Sequence, residues 1–256
     1  MHMKRFFIFG LLLLAVAVMA GPQQQAETYY LEGNQAYQQG DYQKAIDAYN
    51  SILNLGFESG SVYYNLGNCY YKLKETGRAI LNYERAKKLM PGDPDLKANM
   101  NLARLNVVDK IVPQPKFILF RIVDAWVYLI HFKPLVWTMT GFYLLTILFV
   151  ILRFLSRHAL LARMMTRLAI ASGALAVLFL LSFVKQQQDM KTRVYAVVLT
   201  DKVDVMSAPG SQDGTEVFSL HEGTKVRIEK TAGQWVEILL EDGKVGWVQG
   251  EVVEKI

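Results

Sequence analysis

The sequence predicts a multidomain membrane protein with an all-α repeat domain, a two-helix transmembrane hairpin and a small all-β barrel. Three observations support this fold class. A motif recurs after thirty-four residues, two charge-free apolar runs flank a group of arginines, and apolar and polar residues alternate near the C-terminus. A chain of 256 residues is long enough for two or three such domains.

Residues 1–20 have the pattern of a signal peptide. Lys4 and Arg5 precede an apolar run over residues 6–19, which ends in a small-residue cleavage pattern at Ala20. We expect cleavage after Ala20. A retained signal anchor is the alternative, and it would export the residues that follow in the same way.

An internal repeat lies within residues 23–111. Four residues recur at a single offset of thirty-four: Gly33, Ala45, Ile46 and Tyr49 are repeated as Gly67, Ala79, Ile80 and Tyr83. This is the period of the tetratricopeptide helix pair. Residues 95–108 predict a third, unpaired helix that caps the domain, because two repeats alone bury little core.

Residues 116–133 predict an amphipathic helix in the membrane interface. The polar residues of this apolar segment form one narrow helical stripe: Arg121, Asp124, Tyr128 and His131. We favour the interface because Arg121 and Asp124 would be costly at depth in a bilayer. A third span, with the stripe facing the hairpin, is the alternative.

Two apolar segments, residues 134–153 and 167–185, predict transmembrane helices. The intervening loop, residues 154–166, and its flanks are rich in arginine, and Lys/Arg excess marks the cytoplasmic side. We therefore expect a two-span protein of the inner membrane, with the repeats and the C-terminal domain on the periplasmic side. The net charge of +5 lies largely in this loop and at the N-terminus, so it does not indicate nucleic-acid binding.

Residues 193–256 predict a small barrel. Five short segments alternate between apolar and polar residues and are separated by Gly-containing turns. Closure into a barrel would remove exposed strand edges.

Aromatic and amide side chains of the repeats predict a peptide-binding groove. By the thirty-four-residue offset, three residues of the first repeat match three of the second. With one further asparagine, the candidate residues are Tyr30, Asn34, Tyr37, Tyr64, Asn65, Asn68 and Tyr71. Tyrosine offers flat apolar area with a polar tip, and asparagine can bond to a peptide backbone. The alternative is that these side chains pack between the helices.

The barrel offers a second candidate surface. Tyr195, Trp235 and Trp247 could form a ligand-binding face. The alternative is that the two tryptophans belong to the core.

The sequence groups no residues for catalysis, so we expect no enzymatic activity, cofactor or metal site. The four histidines lie in four different segments. Cys69 is the only cysteine, which excludes an internal disulfide and a multi-cysteine metal site. Its position in a repeat helix favours a packed core thiol.

The C-terminal region resembles bacterial SH3-like domains in VDVMSAPGSQDG, LHEGTKVRIEK and DGKVGWV. With the leader, two repeats, a two-span hairpin and NLARLNVVDKI before the membrane segment, the chain resembles BatE-type proteins of the Bacteroides aerotolerance operon. That resemblance implies a scaffold or adaptor in a membrane complex for oxidative-stress tolerance, with von Willebrand A-domain and tetratricopeptide partners. A cell-wall protein whose SH3-like domain binds peptidoglycan is the alternative.

Overall fold

The computed structural model describes residues 21–210 and 214–256, so the predicted signal peptide lies outside the described residues. The chain forms two compact units. The first combines residues 21–112 with residues 195–210 and 214–256, and the second is Pro113–Val194. The repeats and the C-terminal sheet are therefore parts of one unit, although more than eighty residues separate them in sequence.

Five helices form the repeat part of the first unit. Helix α1 covers residues 21–38, and it is followed by α2 (Tyr42–Asn54), α3 (Gly60–Lys72), α4 (Thr76–Leu89) and α5 (Pro94–Leu105). The first four helices make two pairs, and α5 is the predicted unpaired helix. Asp93 starts α5, because its side chain accepts a hydrogen bond from Leu96 N at 2.8 Å and Pro94 occupies the first turn.

The recurring glycines and tyrosines of the two repeats are packed directly on each other. A Cβ atom added at Gly33 would lie 2.6 Å from Tyr49 Cε1, and one added at Gly67 would lie 2.6 Å from Tyr83 Cδ1. Both tyrosines are fully buried. The offset of thirty-four residues thus reflects one packing arrangement used twice.

The C-terminal part of the first unit is an antiparallel sheet. Its strands are β1 (Val194–Val198), β2 (Lys202–Met206), β3 (Glu216–His221), β4 (Lys225–Ala232), β5 (Trp235–Leu239), β6 (Val245–Gln249) and β7 (Val253–Lys255). The strand order is β3-β2-β6-β5-β4-β1-β7. Gly223 turns from β3 into β4 with a φ of 83°, which favours glycine.

The prediction of a closed, five-stranded barrel was wrong in both respects. Within the described residues the sheet has seven strands and is open, with β3 and β7 at its edges. Closure is unnecessary because each edge is protected in another way. Arg85 donates a hydrogen bond of 2.7 Å to Lys255 O at the β7 edge. The β3 edge has a bulge opposite Val205 and Met206, and Asp109 accepts the His221 N–H at 2.7 Å.

Strand β1 joins the sheet to the helices. Ala196 and Val198 point into the core of the sheet, whereas Val197 belongs to the core of the helical repeats. In the other direction, Ile111 follows α5 and packs against the sheet core. The repeats and the sheet therefore share buried apolar surface.

The second unit contains α6 (Ile118–Val127), α7 (Phe132–Leu155) and α8 (Ala159–Thr192). Helices α7 and α8 are long and apolar enough to cross a membrane. They pack along each other, and Thr146 Oγ1 lies 2.9 Å from Ser172 Oγ. Their ends differ from the sequence-based bounds. The predicted loop at 154–166 is reduced to residues 156–158, because alanine, leucine, methionine and arginine extend α8 beyond the apolar run.

Helix α6 is shorter than the helix predicted over residues 116–133. A helix continuing through Pro134 would bring the proline ring against the carbonyl of Ile130, four residues earlier. The chain turns after Val127 instead. Gln186 Nε2 of α8 donates to the freed carbonyls, at 2.5 Å to Val127 O and 3.0 Å to Ile130 O.

Candidate protein-binding site

The predicted groove residues lie on the first helix of each pair. Tyr30, Asn34 and Tyr37 are on α1, and Tyr64, Asn65, Asn68 and Tyr71 are on α3; all seven side chains are half-buried. Equivalent residues of the two repeats therefore form two matching rows. The tyrosine rings of both rows pack against the buried core of the repeats.

The asparagines are bonded within the repeats. Asn34 Oδ1 accepts hydrogen bonds from Tyr49 OH at 2.8 Å and from Asn65 Nδ2 at 3.2 Å. Asn68 Oδ1 accepts the equivalent bond from Tyr83 OH at 2.8 Å. These oxygens satisfy buried phenols, so the asparagines contribute to packing whether or not they also contact a ligand.

Asn99 of α5, which was not among the predicted groove residues, completes the second network. Asn99 Nδ2 donates to Asn68 Oδ1 at 2.9 Å and to Tyr64 OH at 2.8 Å. The signal was available, because Asn99 follows Asn65 by the same thirty-four residues. Helix α5 therefore extends the groove surface as the first helix of an incomplete third repeat.

The groove tyrosines contact core or neighbouring rings. The ring centroids of Tyr30 and Tyr49 are 6.1 Å apart, and those of Tyr64 and Tyr83 are 6.2 Å apart. Burial raises the pKa of Tyr37, so its phenol remains protonated at neutral pH. The exposed half of each ring provides neutral hydrogen-bonding and apolar contact area.

Replacing both Asn34 and Asn68 with alanine is expected to lower the free energy of unfolding by about 2–6 kcal/mol. Each substitution leaves a buried tyrosine hydroxyl without its acceptor, at a cost of roughly 1–3 kcal/mol. Urea unfolding monitored by circular dichroism measures this change. Gln43→Ala, on the exposed surface of α2, is the control. Stability equal to that of the wild type would show that the asparagines are free for a ligand.

The single cysteine is a buried core residue. Cys69 is fully inaccessible, and burial raises the pKa of its thiol to about 12. The reactive thiolate is therefore rare at physiological pH.

We expect Cys69 to resist iodoacetamide at pH 8 in the folded protein and to react fully in guanidinium chloride. Both burial and the raised pKa of the thiol suppress the reaction. Mass spectrometry of the intact chain counts the adduct. Rapid alkylation under native conditions would contradict the core placement.

The three aromatic residues predicted as a ligand face are divided by strand β4. Trp235 on β5 and Trp247 on β6 share one sheet face, because Glu237 pairs with Trp247 and lies two residues after Trp235. Both indoles are half-buried. Tyr195 on β1 packs instead under Lys225, whose Nζ lies 4.8 Å from the ring centroid. No ring contact joins the three side chains in the described residues.

A buried carboxylate binds the repeats to the sheet. Glu84 of α4 is only 4% exposed, and its two oxygens accept bonds from Arg104 of α5 at 2.7 Å and Lys225 of β4 at 2.8 Å. Burial by itself would raise the pKa of Glu84, but Lys225 and the other nearby cations lower it. Glu84 is thus ionised and connects three elements.

The turn between β3 and β4 makes a second contact with the helices. Asp109 accepts hydrogen bonds from His221 N at 2.7 Å and from Thr224 Oγ1 at 2.6 Å. Glu222 Oε2 accepts the N–H of Gly77 at 2.9 Å in the first turn of α4. The segment after α5 therefore serves as a docking element, a role that its sequence alone did not indicate.

Polar residues at the end of α8 hold α6. Asp189 accepts the hydroxyl of Tyr128 and pairs with Lys185 at 2.8 Å, and Gln186 bonds to the carbonyls at the end of α6. The sequence alone indicated only a short polar exit from the membrane here. These residues instead fix the end of α6 against α8.

Comparison with known proteins identifies the helix pairs. A tetratricopeptide repeat family model matches residues 61–93, and a second tetratricopeptide repeat model matches residues 26–56. The two helix pairs are tetratricopeptide repeats. This result confirms the prediction made from the thirty-four-residue offset.

Relatives of the tetratricopeptide region include assembly proteins. Photosystem I assembly protein Ycf3 of Prochlorococcus marinus subsp. pastoris (strain CCMP1986 / NIES-2087 / MED4) is 28% identical over 102 residues, which cover 39% of this chain. Ycf3 of Synechococcus sp. (strain WH7803) has the same identity and coverage. The match spans 59% of the length of these relatives.

A solved tetratricopeptide structure also matches. YrrB, described as a TPR protein with an unusual peptide-binding site, is 22% identical, with 60% of this chain and 72% of YrrB covered. The TM-score is 0.31.

Proposed function

We propose that this chain is a non-enzymatic scaffold or adaptor of the inner membrane, whose exported tetratricopeptide repeats bind a protein partner. Tetratricopeptide repeats suggest a role in protein–protein interaction or assembly, and the Ycf3 relatives are named as assembly proteins. One observation carries the membrane-anchored part of the proposal. The repeats and the sheet share one compact unit, and the two long apolar helices lie between them in sequence.

This connectivity supports a two-span topology. Residues on both sides of Pro113–Val194 belong to the same unit, so if that segment crosses a membrane it does so an even number of times. Helix α6 has ten residues, or about 15 Å at 1.5 Å per residue, which is half of the ~30 Å hydrocarbon core. Its apolar side chains, such as Phe120 and Ile122, are mostly exposed, which suits a place in the interface.

Cysteine labelling tests this topology. In a Cys69→Ser background, the cysteine introduced by Arg157→Cys between α7 and α8 should be protected from an impermeant maleimide in spheroplasts. The cysteine introduced by Glu251→Cys, at an exposed position after β6, should react with the maleimide. The opposite pattern would reverse the orientation. Labelling at both sites would exclude the two-span arrangement.

The half-exposed tyrosines support partner binding along α1 and α3. A photo-crosslinking amino acid at Tyr37 or Tyr71 should capture a partner in intact cells, whereas the same group at Gln43 on α2 should not. Equal capture at all three positions would reject a specific groove. Mass spectrometry of the adduct identifies the partner.

The resemblance to BatE-type proteins gives this proposal its biological setting. We infer a signal peptide, periplasmic repeats, an SH3-like relationship for the open sheet, and membership of an aerotolerance complex with von Willebrand A-domain and tetratricopeptide proteins. Loss of oxygen tolerance after deletion of the chain, restored by the wild type but not by a groove variant, would support this assignment. Normal oxygen tolerance after deletion would contradict this assignment.

A peptidoglycan-binding protein is the second candidate. The favouring observation is the shared sheet face of Trp235 and Trp247, since half-exposed indoles are suited to stacking on ligands. Saturable retention of the full chain by purified sacculi, lost in Trp235→Ala, would favour this candidate. Equal retention of the wild type and the Trp235→Ala variant would contradict binding through this face.

A further inference from the structure

A cleft of about 260 Å³ lies between α4 and α5, in the repeat part of the first unit. Lys87 from the end of α4 and Lys97, Asn101 and Arg104 from α5 line it. Met100, which is buried, forms part of its floor. The cleft is lined by different residues from the predicted groove, so it is a separate surface.

The lining of the cleft is basic. Three cations, Lys87, Lys97 and Arg104, face one carboxylate, Asp93. One oxygen of Asp93 already accepts the Leu96 N–H at 2.8 Å as the cap of α5. Neither lysine makes a salt bridge within the described residues. The cleft therefore has unused positive charge and N–H donors.

The Arg104 side chain is held in place by an ion pair with a buried carboxylate. Glu84, which is 4% exposed, binds one of its guanidinium nitrogens at 2.7 Å and is itself bound by Lys225 at 2.8 Å. A guanidinium has five N–H donors, so most remain available to a ligand. An arginine fixed in this way loses less conformational entropy when it binds a carboxylate.

The spacing of the charges favours a chain over a single small anion. Lys97, Asn101 and Arg104 lie at positions i, i+4 and i+7 of α5, so they form one stripe about 10 Å long. Side chains on one face of an extended peptide recur every ~6.6 Å, so a segment with two or three acidic residues matches the stripe. Asn101 can bond to its backbone.

We propose that this cleft binds an extended acidic segment of a partner protein, with carboxylates at Lys87, Lys97 and Arg104. The proposal rests on the scaffold function and adds a second contact surface to it. The groove would bind one segment of a partner through neutral and aromatic contacts. The cleft would select for acidic sequence beside it.

Fluorescence anisotropy with fluorescein-labelled hexaglutamate tests the cleft, using the full chain in a non-ionic detergent at low salt. Saturable binding is expected, and Lys87→Gln with Lys97→Gln should weaken it roughly tenfold through the loss of two ion pairs. The control pair Lys44→Gln with Lys72→Gln removes the same charge from exposed positions on α2 and α3, and it should change binding less than about twofold.

Three results would overturn the proposal: no saturable binding, equal weakening by both lysine pairs, or displacement by inorganic phosphate as effective as by unlabelled hexaglutamate. Circular dichroism confirms that each variant is folded. Tyr37→Ala with Tyr71→Ala separates this test from that of the groove. Those changes should leave hexaglutamate binding intact even if they abolish partner crosslinking.

Discussion

Gly67→Ala is expected to lower the free energy of unfolding by about 3 kcal/mol. The added methyl group would lie 2.6 Å from both Cδ1 and Cε1 of Tyr83. That ring has no exposed surface, and its hydroxyl is bonded to Asn68 at 2.8 Å, so it cannot move aside cheaply. Overpacking of a rigid core typically costs 1–3 kcal/mol.

Gly92→Ala is the matched control, since no atom lies within 4 Å of a Cβ added there. Urea unfolding of the full chain should show a clearly lower free energy of unfolding for Gly67→Ala and little change in it for Gly92→Ala. Similar midpoints for the two variants would mean that helices α3 and α4 can separate without cost. Gly33→Ala should reproduce the loss in the first repeat, because its geometry with Tyr49 is equivalent.

Glu84→Gln is expected to destabilise the first unit by about 2 kcal/mol at neutral pH. The substitution removes a buried negative charge that binds Arg104 and Lys225, and hydrogen bonds to charged groups contribute roughly 1.5–3 kcal/mol. Both cations are partly exposed and can regain water, which limits the loss. Glu75→Gln at the N-cap of α4 is the control, because its pair with Arg78 is exposed and contributes little.

The pH dependence provides a second measurement on Glu84. Nearby cations, Lys225 foremost, hold the pKa of this carboxyl below its usual value despite burial. Its ionised form therefore adds stability above the unfolded pKa of about 4.5. That contribution disappears as the pH falls through the lower folded pKa. The difference between wild type and Glu84→Gln should shrink at acidic pH; a constant difference would assign the loss to packing.

Local patterns predicted the repeats well. Gly33 and Tyr49 recur at a fixed offset because one helix-packing geometry is used twice, so the sequence itself contains the evidence. The same offset would have identified Asn99 from Asn65. The two apolar helices were also predictable, since length and composition alone determine whether a helix can cross a membrane.

Long-range contacts were not predictable from local patterns. The open sheet depends on Arg85 and Asp109, which protect its edges from distant points in the chain. The end of α6 depends on Gln186, almost sixty residues later. In the groove, sequence chemistry identified Asn34 and Asn68 but could not show that buried tyrosine hydroxyls already occupy their oxygens.

The division of β1 between two cores determines when the repeats can complete their core during synthesis. Val197 completes the apolar core of the repeats, and Lys225 neutralises Glu84 across 141 residues of sequence. At ribosomal rates of roughly 5–20 residues per second, the repeats wait on the order of ten seconds for these contacts. During that time both apolar helices are also being made. Nascent repeats with an incomplete core are natural clients for chaperones, and a chain that ends before β1 would remain one.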